Sequence, residues 1–299
     1  MITDKKTYHH NNSHVPVLLE AVTRLLAPKS REKYLDLTAG YGGHASSILE
    51  STGDGANITL VDRDEHAISS LQSFADAGAR IIHQDFAGAA SDLAQKGEQF
   101  DMILIDLGVS SPHLDNAERG FSFQTDAELD MRMDNRQTLT AAMIVNKYSE
   151  VELTKILREY GEEPKAKKVA HAIIAARPIS TTLQLAAVVE KIYGRRGKIH
   201  PATRTFQALR IAVNEELSQL QAVLPLLPGL LTIGGRVAII SFHSLEDRLV
   251  KQFFANEKQS GYEARLEVLT KKPISGATED VLNRRARSAK LRAAVKINT

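Results

Sequence analysis

Four short apolar runs, each carrying an acid at or just past its carboxyl end, constrain this chain more than any other feature. Tyr34–Leu37, Ile58–Val61, Arg80–His83 and Met102–Ile105 read as strands, and the acids are Asp36, Asp62, Asp85 and Asp106. Helical patterns near His44–Ser51 and Glu65–Ala75 separate the early ones. Strands alternating with helices predict a mostly parallel sheet with helices on both faces. The alternation stops near Leu114, and helical signals run on to Asn214. Beyond that, a helix through Phe206, Leu209, Val213, Leu217 and Leu220 leads to a Gly234-Gly235 turn. A strand over Arg236–Ile240, a helix near Leu245–Phe254 and two strands, Ala264–Thr270 and Ala289–Lys296, complete the pattern. The expected fold is therefore α/β, with one discontinuous domain, residues 1–114 and 215–299, interrupted by an all-helical insertion, residues 115–214.

Inside the insertion three apolar stripes recur at i, i+3, i+4, i+7, the spacing of one helix face. They are Leu153, Ile156, Leu157 and Tyr160; Val169, Ala172, Ile173 and Ala176; and Leu185, Val188, Val189 and Ile192. Ser149 with Glu152 makes a capping-box pattern before the first, and Gly161 and Gly194 fit helix ends. These stripes read as packing surfaces.

Composition removes whole classes of chemistry. Among 299 residues there is no cysteine. Thiolate metal sites, iron–sulfur clusters and cysteine nucleophiles are thereby excluded. So are the radical and pyrimidine-C5 routes of methyl transfer that depend on cysteine. No apolar run reaches the roughly 18 residues of a spanning helix, and the N-terminal MITDKKTYHHNNSHVPV lacks a signal-peptide core, so a cytoplasmic location is the expectation. Net charge is only +2, but the basic residues cluster. Tyr193 to Asn214 holds Arg195, Arg196, Lys198, Arg204 and Arg210 without an acid, and Asn283 to the C-terminus holds Arg284, Arg285, Arg287, Lys290, Arg292 and Lys296. Each stretch fits either a polyanion site or a solvated surface.

The turn after the first strand reads Asp36-Leu-Thr-Ala-Gly40-Tyr-Gly42-Gly43-His44. Glycines let a ligand approach the backbone, and the helix start beyond offers free N–H groups. Asp62 lies 22 residues after Gly40, where a carboxylate can accept ribose hydroxyls, as in nicotinamide enzymes and in S-adenosylmethionine enzymes alike. Asp85 and Phe86 suit either an adenine contact or a helix cap with a core ring. The fourth strand ends Asp106-Leu-Gly-Val-Ser110-Ser111-Pro112-His113. Its last four residues partly match the [Asp/Asn/Ser]-Pro-Pro-aromatic turn of enzymes that methylate exocyclic amines, with Ser111 and His113 departing from it. A loop merely shaped by Pro112 is the plainer alternative.

Together these segments resemble the bacterial ribosomal RNA small subunit methyltransferase H family, which modifies N4 of a cytidine in 16S rRNA. The resemblance rests on His14-Val-Pro-Val-Leu-Leu-Glu20, Gly42-Gly43-His44, Asp106–Asp115, Arg119–Phe123 and Leu129–Asp134, and continues through His200–Gln207, Ser241–Arg248 and Arg285–Ser288. These run in order over nearly the whole chain, with Ala255–Val281 the least similar part. The resemblance implies a class I S-adenosylmethionine-dependent methyltransferase domain with a helical insertion that helps bind substrate. It implies cofactor contacts at Gly42, Gly43, His44, Asp62, Phe86, Asp106 and His113, the last at a position where other members carry glutamine. It implies 16S rRNA as partner, at a P-site cytidine within the small ribosomal subunit, with no membrane; a homodimer stays open.

Methyl transfer from a sulfonium needs no covalent nucleophile and no metal; the amine must come within about 3–3.5 Å of the methyl carbon, in line with the leaving sulfur. Ser110 and the carbonyl of Ser111 are the candidate acceptors around N4, and Asp106 either holds the methionine end of the cofactor or orients the loop. A base buried in a stack must be flipped to reach such a site. His113, Phe121 and Phe123 can stack on it, though the two phenylalanines fit core packing better. Arg195, Arg196, Arg204, His243, Arg285 and Arg287 are the expected substrate contacts, and Glu246 and Asp247 either shape the pocket or serve as caps and ion-pair partners. Two rival readings share the early sheet. A nicotinamide oxidoreductase would want Gly where Ala45 stands, and an RNA-binding assembly factor would bind without turnover.

Overall fold

A computed structural model describes residues 15–110, 116–194, 200–259 and 261–299. Eight strands form one sheet: β1 Tyr34–Asp36, β2 Ile58–Asp62, β3 Arg80–His83, β4 Phe100–Asp106, β5 Leu231–Ser241, β6 Leu266–Val268, β7 Ile274–Ser275 and β8 Lys290–Lys296. Their order is β3-β2-β1-β4-β5-β8-β6, with β7 on the free part of β8. Strands β1 to β5 pair in parallel, and β8 runs antiparallel to β5, β6 and β7. The expected mostly parallel sheet is what forms. Strand order reverses between β1 and β4, and an open sheet leaves a crevice there, outside the carboxyl ends of the strands.

The central strands are apolar throughout because both faces are covered. Alternate residues point to opposite sides. Leu35, Ile103, Ile105, Val237 and Ile239 face α5 Phe86–Gln95, α11 Glu216–Val223, α12 Leu227–Leu230 and α13 Ser244–Gln259. Tyr34, Leu60, Met102, Leu104 and Ile240 face α1 Leu19–Leu26, α2 Gly43–Thr52, α3 Glu65–Ser70 and α4 Gln72–Asp76. The helix expected over Glu65–Ala75 is broken at the fully buried Leu71, which turns its side chain into the core. The Gly234-Gly235 turn is instead part of β5. Gly234 has φ +78°, the ladder to β4 shifts register between Phe100 and Met102, and a Cβ on Gly235 would meet Thr232 O at 2.8 Å, so the pair forms an irregularity inside a strand.

Residues 121–213 close around a core of their own, built from α6 Ala141–Lys147, α7 Glu150–Gly161, α8 Ala166–Ala175, α9 Thr182–Tyr193 and α10 Thr203–Asn214. The three stripes supply it: Leu153, Leu157, Val169, Ile173, Leu185 and Val189 are fully buried. The Ser149–Glu152 capping box forms, and so does a second, Thr181–Gln184. Gly161 has a different role from the one its position suggests. Glu162 makes the left-handed helix end, while a Cβ on Gly161 would stand 2.7 Å from Arg204 O, so the glycine lets α10 cross close to α7.

The helix read as continuous from Phe206 to Leu220 breaks where the helical core meets the sheet. Glu215 takes φ +52°, ending α10 and starting α11. Asn214, fully buried, pins the break: its Oδ1 accepts from Met133 N at 2.8 Å, and its Nδ2 donates to Met131 O and Arg210 O at 2.8 and 2.9 Å. Arg63, past the end of β2, donates to Asn214 O, and Arg119 donates to the carbonyls of Arg132 and Met133 while facing Asp64. Replacing a buried residue that satisfies several backbone groups strands those groups without solvent. Asn214→Ala is therefore expected to destabilise the chain by about 3 kcal/mol, read as a lowered denaturant midpoint at unchanged slope.

Candidate functional site

A cavity of about 700 Å³ opens over the carboxyl ends of β1 and β4, between the sheet and the inner face of α10. Local backbone geometry builds its floor. Gly42 has φ +79°, and a Cβ there would stand 2.4 Å from the Phe74 ring; a Cβ on Gly43 would stand 2.5 Å from Pro16. Only glycine fits both places, so the turn lies close under the cavity and α2 begins beside it. Gly40 N donates to Asp62 Oδ2 and Asp64 N donates to Asp62 Oδ1, both at 2.8 Å. The carboxylate thus shapes the turn while lining the cavity.

Two acids from neighbouring strands set the electrostatics. Asp36 is buried; it accepts from the Tyr34 hydroxyl at 2.8 Å and from Thr38 N at 3.1 Å. Burial, against those hydrogen bonds and with the Asp62 charge added, raises its pKa to about 7. The Thr38 hydroxyl in turn accepts from Asp106 N at 2.6 Å. Burial, with Asp36 and Glu246 nearby, holds the Asp106 carboxyl well above the usual carboxylate range. Asp106 Oδ1 has no hydrogen-bond partner, and the 26% of its side-chain surface that remains open belongs to a cavity-lining residue. His44 Nε2 stands 3.7 Å from Asp106 Oδ2, and neither ring nitrogen has a hydrogen-bond partner. Burial lowers the His44 pKa to about 4, so the ring is neutral. The result is a pair of acids lacking a cation, beside a neutral ring: a place for a positively charged ligand.

The opposite wall carries a different network. Arg210 holds both oxygens of Glu216 at 2.8 Å. Glu246 Oε2 accepts from Phe242 N and His243 N at 2.7 and 3.2 Å, and its Oε1 lies 3.2 Å from His243 Nε2. Burial alone would raise the Glu246 pKa; His243, Arg210 and the Phe242 N–H outweigh it, and the group stays a carboxylate. Glu216, His243 and Glu246 bring one ligand atom each within 4.8 Å of one another. Arg210 already neutralises Glu216 and backbone N–H groups occupy Glu246, so the trio works as an ion-pair network. Sequence reading missed Arg210 and Glu216 as wall residues because six residues apart on an unbroken helix they would not meet; the break at Glu215 brings them together.

Of the residues expected at the site, Gly43, His44, Asp62, Phe86, Asp106, Ser110, His243 and Arg285 line this one cavity, with Gly42 in the turn beneath. Phe121 and Phe123 line it too while belonging to the helical core, and Phe123 packs on His200 and Phe206 at 4.6 and 4.8 Å between ring centres. Asp85 is a helix cap, accepting from Gly88 N at 2.9 Å. Glu246 is both pocket wall and cap, whereas Asp247 is tied to Lys290 and Arg292 at 3.1 and 2.7 Å. That corrects the reading of the C-terminal basic run: Lys290 and Arg292 face an acid, and Lys296 is buried and donates to Leu231 O. Arg284 and Arg287 are exposed, and Arg285 lines the cavity. Arg204 is exposed on the first turn of α10, next to the wall residue Thr203 but outside the cavity lining. Ser111, His113, Arg195 and Arg196 lie outside the described residues.

A family model described as the MraW methylase family matches residues 11–297. A protein of Acidobacterium capsulatum named ribosomal RNA small subunit methyltransferase H is 46% identical over 295 residues, covering 95% of this chain and 98% of the relative. One of the same name from Maridesulfovibrio salexigens is 48% identical, covering 94% of each. Among solved structures, an rRNA methylase from Streptococcus thermophilus aligns over 94% of both chains at 10% identity, with a TM-score of 0.41.

The raised pKa of Asp36 has a measurable consequence for stability. Below about pH 4 both folded and unfolded chains carry its proton; between about 4 and 7 only the folded chain does, so the stability this group contributes is lost as pH rises through 7. Asp36→Asn keeps an acceptor for Thr38 N and a donor for the Tyr34 oxygen, without the titration. Relative to the parent chain it is expected to gain on the order of 3 kcal/mol between pH 5 and pH 8, read from denaturation curves at both values.

Proposed function

The chain belongs to the MraW methylase family, and from that membership we propose that it transfers the methyl group of S-adenosylmethionine to the exocyclic N4 of a P-site cytidine of 16S rRNA. The observation that carries this reading is the cavity at the strand-order switch, with Asp106, whose Oδ1 has no hydrogen-bond partner, on one wall, the buried Asp36 behind it, and the Arg210–Glu216 pair opposite. S-adenosylmethionine bears a sulfonium and an ammonium. The Gly42–His44 turn and Asp62 suit its adenosine ribose, Phe86 its adenine, and Asp106 its cationic methionine end. His44, neutral and unbonded, completes that wall.

The bound cofactor supplies an activated methyl group; the chain supplies placement. Ser110, four residues past β4 on the cavity wall, is the candidate hydroxyl to accept from the target NH₂ and localise the nitrogen lone pair toward the methyl carbon. The carbonyl of Ser111 is the second candidate acceptor, and His113 remains a cofactor candidate. The cavity lies between the sheet and α10, so a base entering it meets Phe121, Phe123 and the His243–Glu246 pair. Residues 115–214 act as the substrate-binding module inserted into a methyltransferase domain of residues 1–114 and 215–299. Arg195, Arg196, Arg204, Arg285 and Arg287 serve RNA phosphates, with 16S rRNA presented in the small ribosomal subunit. No helix among the described residues is long and apolar enough to cross a membrane, and a ribosomal substrate puts the reaction in the bacterial cytoplasm.

Two measurements check this reading. Labelled S-adenosylmethionine with small subunits lacking the modification is expected to give N4-methylated cytidine on nucleoside analysis. Asp106→Ala is expected to fold and to lose that transfer by at least about a hundredfold; label on another nucleoside would sink the proposed target. Cofactor affinity is also expected to rise with pH. Asp106 must shed a proton to face a cation, so at pH 6 calorimetry in buffers of different ionisation enthalpy should register proton release on binding. Asp106→Asn should bind more weakly and lose that release.

A further inference from the structure

At the mouth of the cavity, two apolar side chains sit where turns normally carry polar residues or glycine. Residues Asp280 to Asn283 form a turn closed by Asn283 N donating to Asp280 O at 3.2 Å. Its corner positions are Val281, 71% exposed, and Leu282, 99% exposed. Turn corners favour Gly, Asn, Asp and Pro, each for a conformational reason. Valine and leucine satisfy none of these, and among the described residues they bury little.

The turn is held firmly. Asp280 Oδ2 accepts from Leu18 N at 2.9 Å, and Asn283 Nδ2 donates to Val15 O at 3.1 Å. Beneath it, Gly276 N donates to Ala289 O, and a Cβ on Gly276 would stand 1.9 Å from Ala286 O, so this segment packs backbone to backbone. Val15 and Pro16, which receive the turn, line the cavity, and so do Arg285 and Ser288, which follow it. Arg284 and Arg287 project into solvent from the same short helix. A bonded apolar turn, the arginines that follow it and a cavity of about 700 Å³ thus share one edge of the molecule.

We propose that the Val281–Leu282 turn is a wedge that enters the RNA stack and fills the gap left when the target base swings into the cavity. The inference rests on the methyltransferase reading above. Charge decides the occupant: the arginines around the tip complement a polyanion, and an apolar side chain between bases is how proteins hold an unstacked step open. Extruding a base costs a few kcal/mol, and a leucine pushed into the vacated position opposes its return. The arginines hold phosphates and set binding; Leu282 acts on the open state and so on turnover.

The test uses the full chain, with Leu282→Ala, Leu282→Met and the parent. Single-turnover methylation of small subunits is measured together with the emission of 2-aminopurine placed beside the target cytidine in an RNA hairpin. Leu282→Ala is expected to slow transfer about tenfold with KM within twofold, and to abolish the rise in 2-aminopurine emission on binding. Leu282→Met, which restores a long apolar side chain, is expected to recover both. Unchanged transfer and emission in Leu282→Ala would overturn the wedge, and so would an equal loss in Leu282→Met. Sedimentation showing a dimer in the parent and a monomer in Leu282→Ala would overturn it in favour of a second copy covering the tip. Absence of transfer by the parent itself would count against the methyltransferase reading, whereas the emission change reads the wedge without turnover.

Discussion

Burying two carboxyl groups at adjacent strand ends is the constraint on which this molecule turns. Asp36 and Asp106 lie on neighbouring parallel strands, joined through Thr38, whose N–H binds one and whose hydroxyl binds the other's backbone. Neither has a cationic side chain to pair with. Burial therefore drives both pKa values up, and the site holds protons where it would otherwise hold charge. A fold of this kind stores an electrostatic demand at its centre, and a cationic ligand satisfies it. The neutral His44 fits the same logic, since a protonated imidazole there would cancel the demand before a ligand arrived.

The opposite wall carries most of its own partners. Arg210 and Glu216 neutralise each other, and Glu246 accepts from two backbone N–H groups beside His243. Such a wall can be preorganised because its charges are already paired, so a neutral base can approach without forcing it to reorganise. Its geometry depends on the buried Asn214 and the left-handed Glu215, which together turn the chain from the helical core back to the sheet. Of that wall only Arg210 comes from the helical core, while Glu216, His243 and Glu246 belong with the sheet, and Arg63 and Arg119 fasten the two cores together.

Much of this was legible beforehand, for identifiable reasons. The central strands β1, β2 and β4 stood out because they are buried on both faces and so read as unbroken apolar runs, whereas the edge strand β3 showed only through Ile81 and Ile82. The helical stripes stood out because the period of 3.6 places every third or fourth residue on one face. Gly42 and Gly43 signalled the turn because side chains there would strike Phe74 and Pro16. Where the reading failed, a local pattern had two physical solutions. Gly234-Gly235 serves an irregular strand as readily as a turn. Gly161 near a helix end serves a close crossing as readily as a cap. A basic run says nothing of which lysines and arginines meet an acid, and Lys290, Arg292 and Lys296 turned inward.

The sequence by itself determined the class of fold, the glycine turn beneath the cavity, the acids at the strand ends and the exclusion of cysteine chemistry. Each of these follows from residue type, period or spacing along the chain. Tertiary structure alone decided that Asp36 and Asp106 share one buried neighbourhood, that Arg210 faces Glu216 rather than a phosphate, and that Val281 and Leu282 stand exposed at the cavity mouth. Those outcomes depend on which elements pack together and how closely. Charge, burial and exposure are properties of a neighbourhood in space, and linear spacing does not encode them.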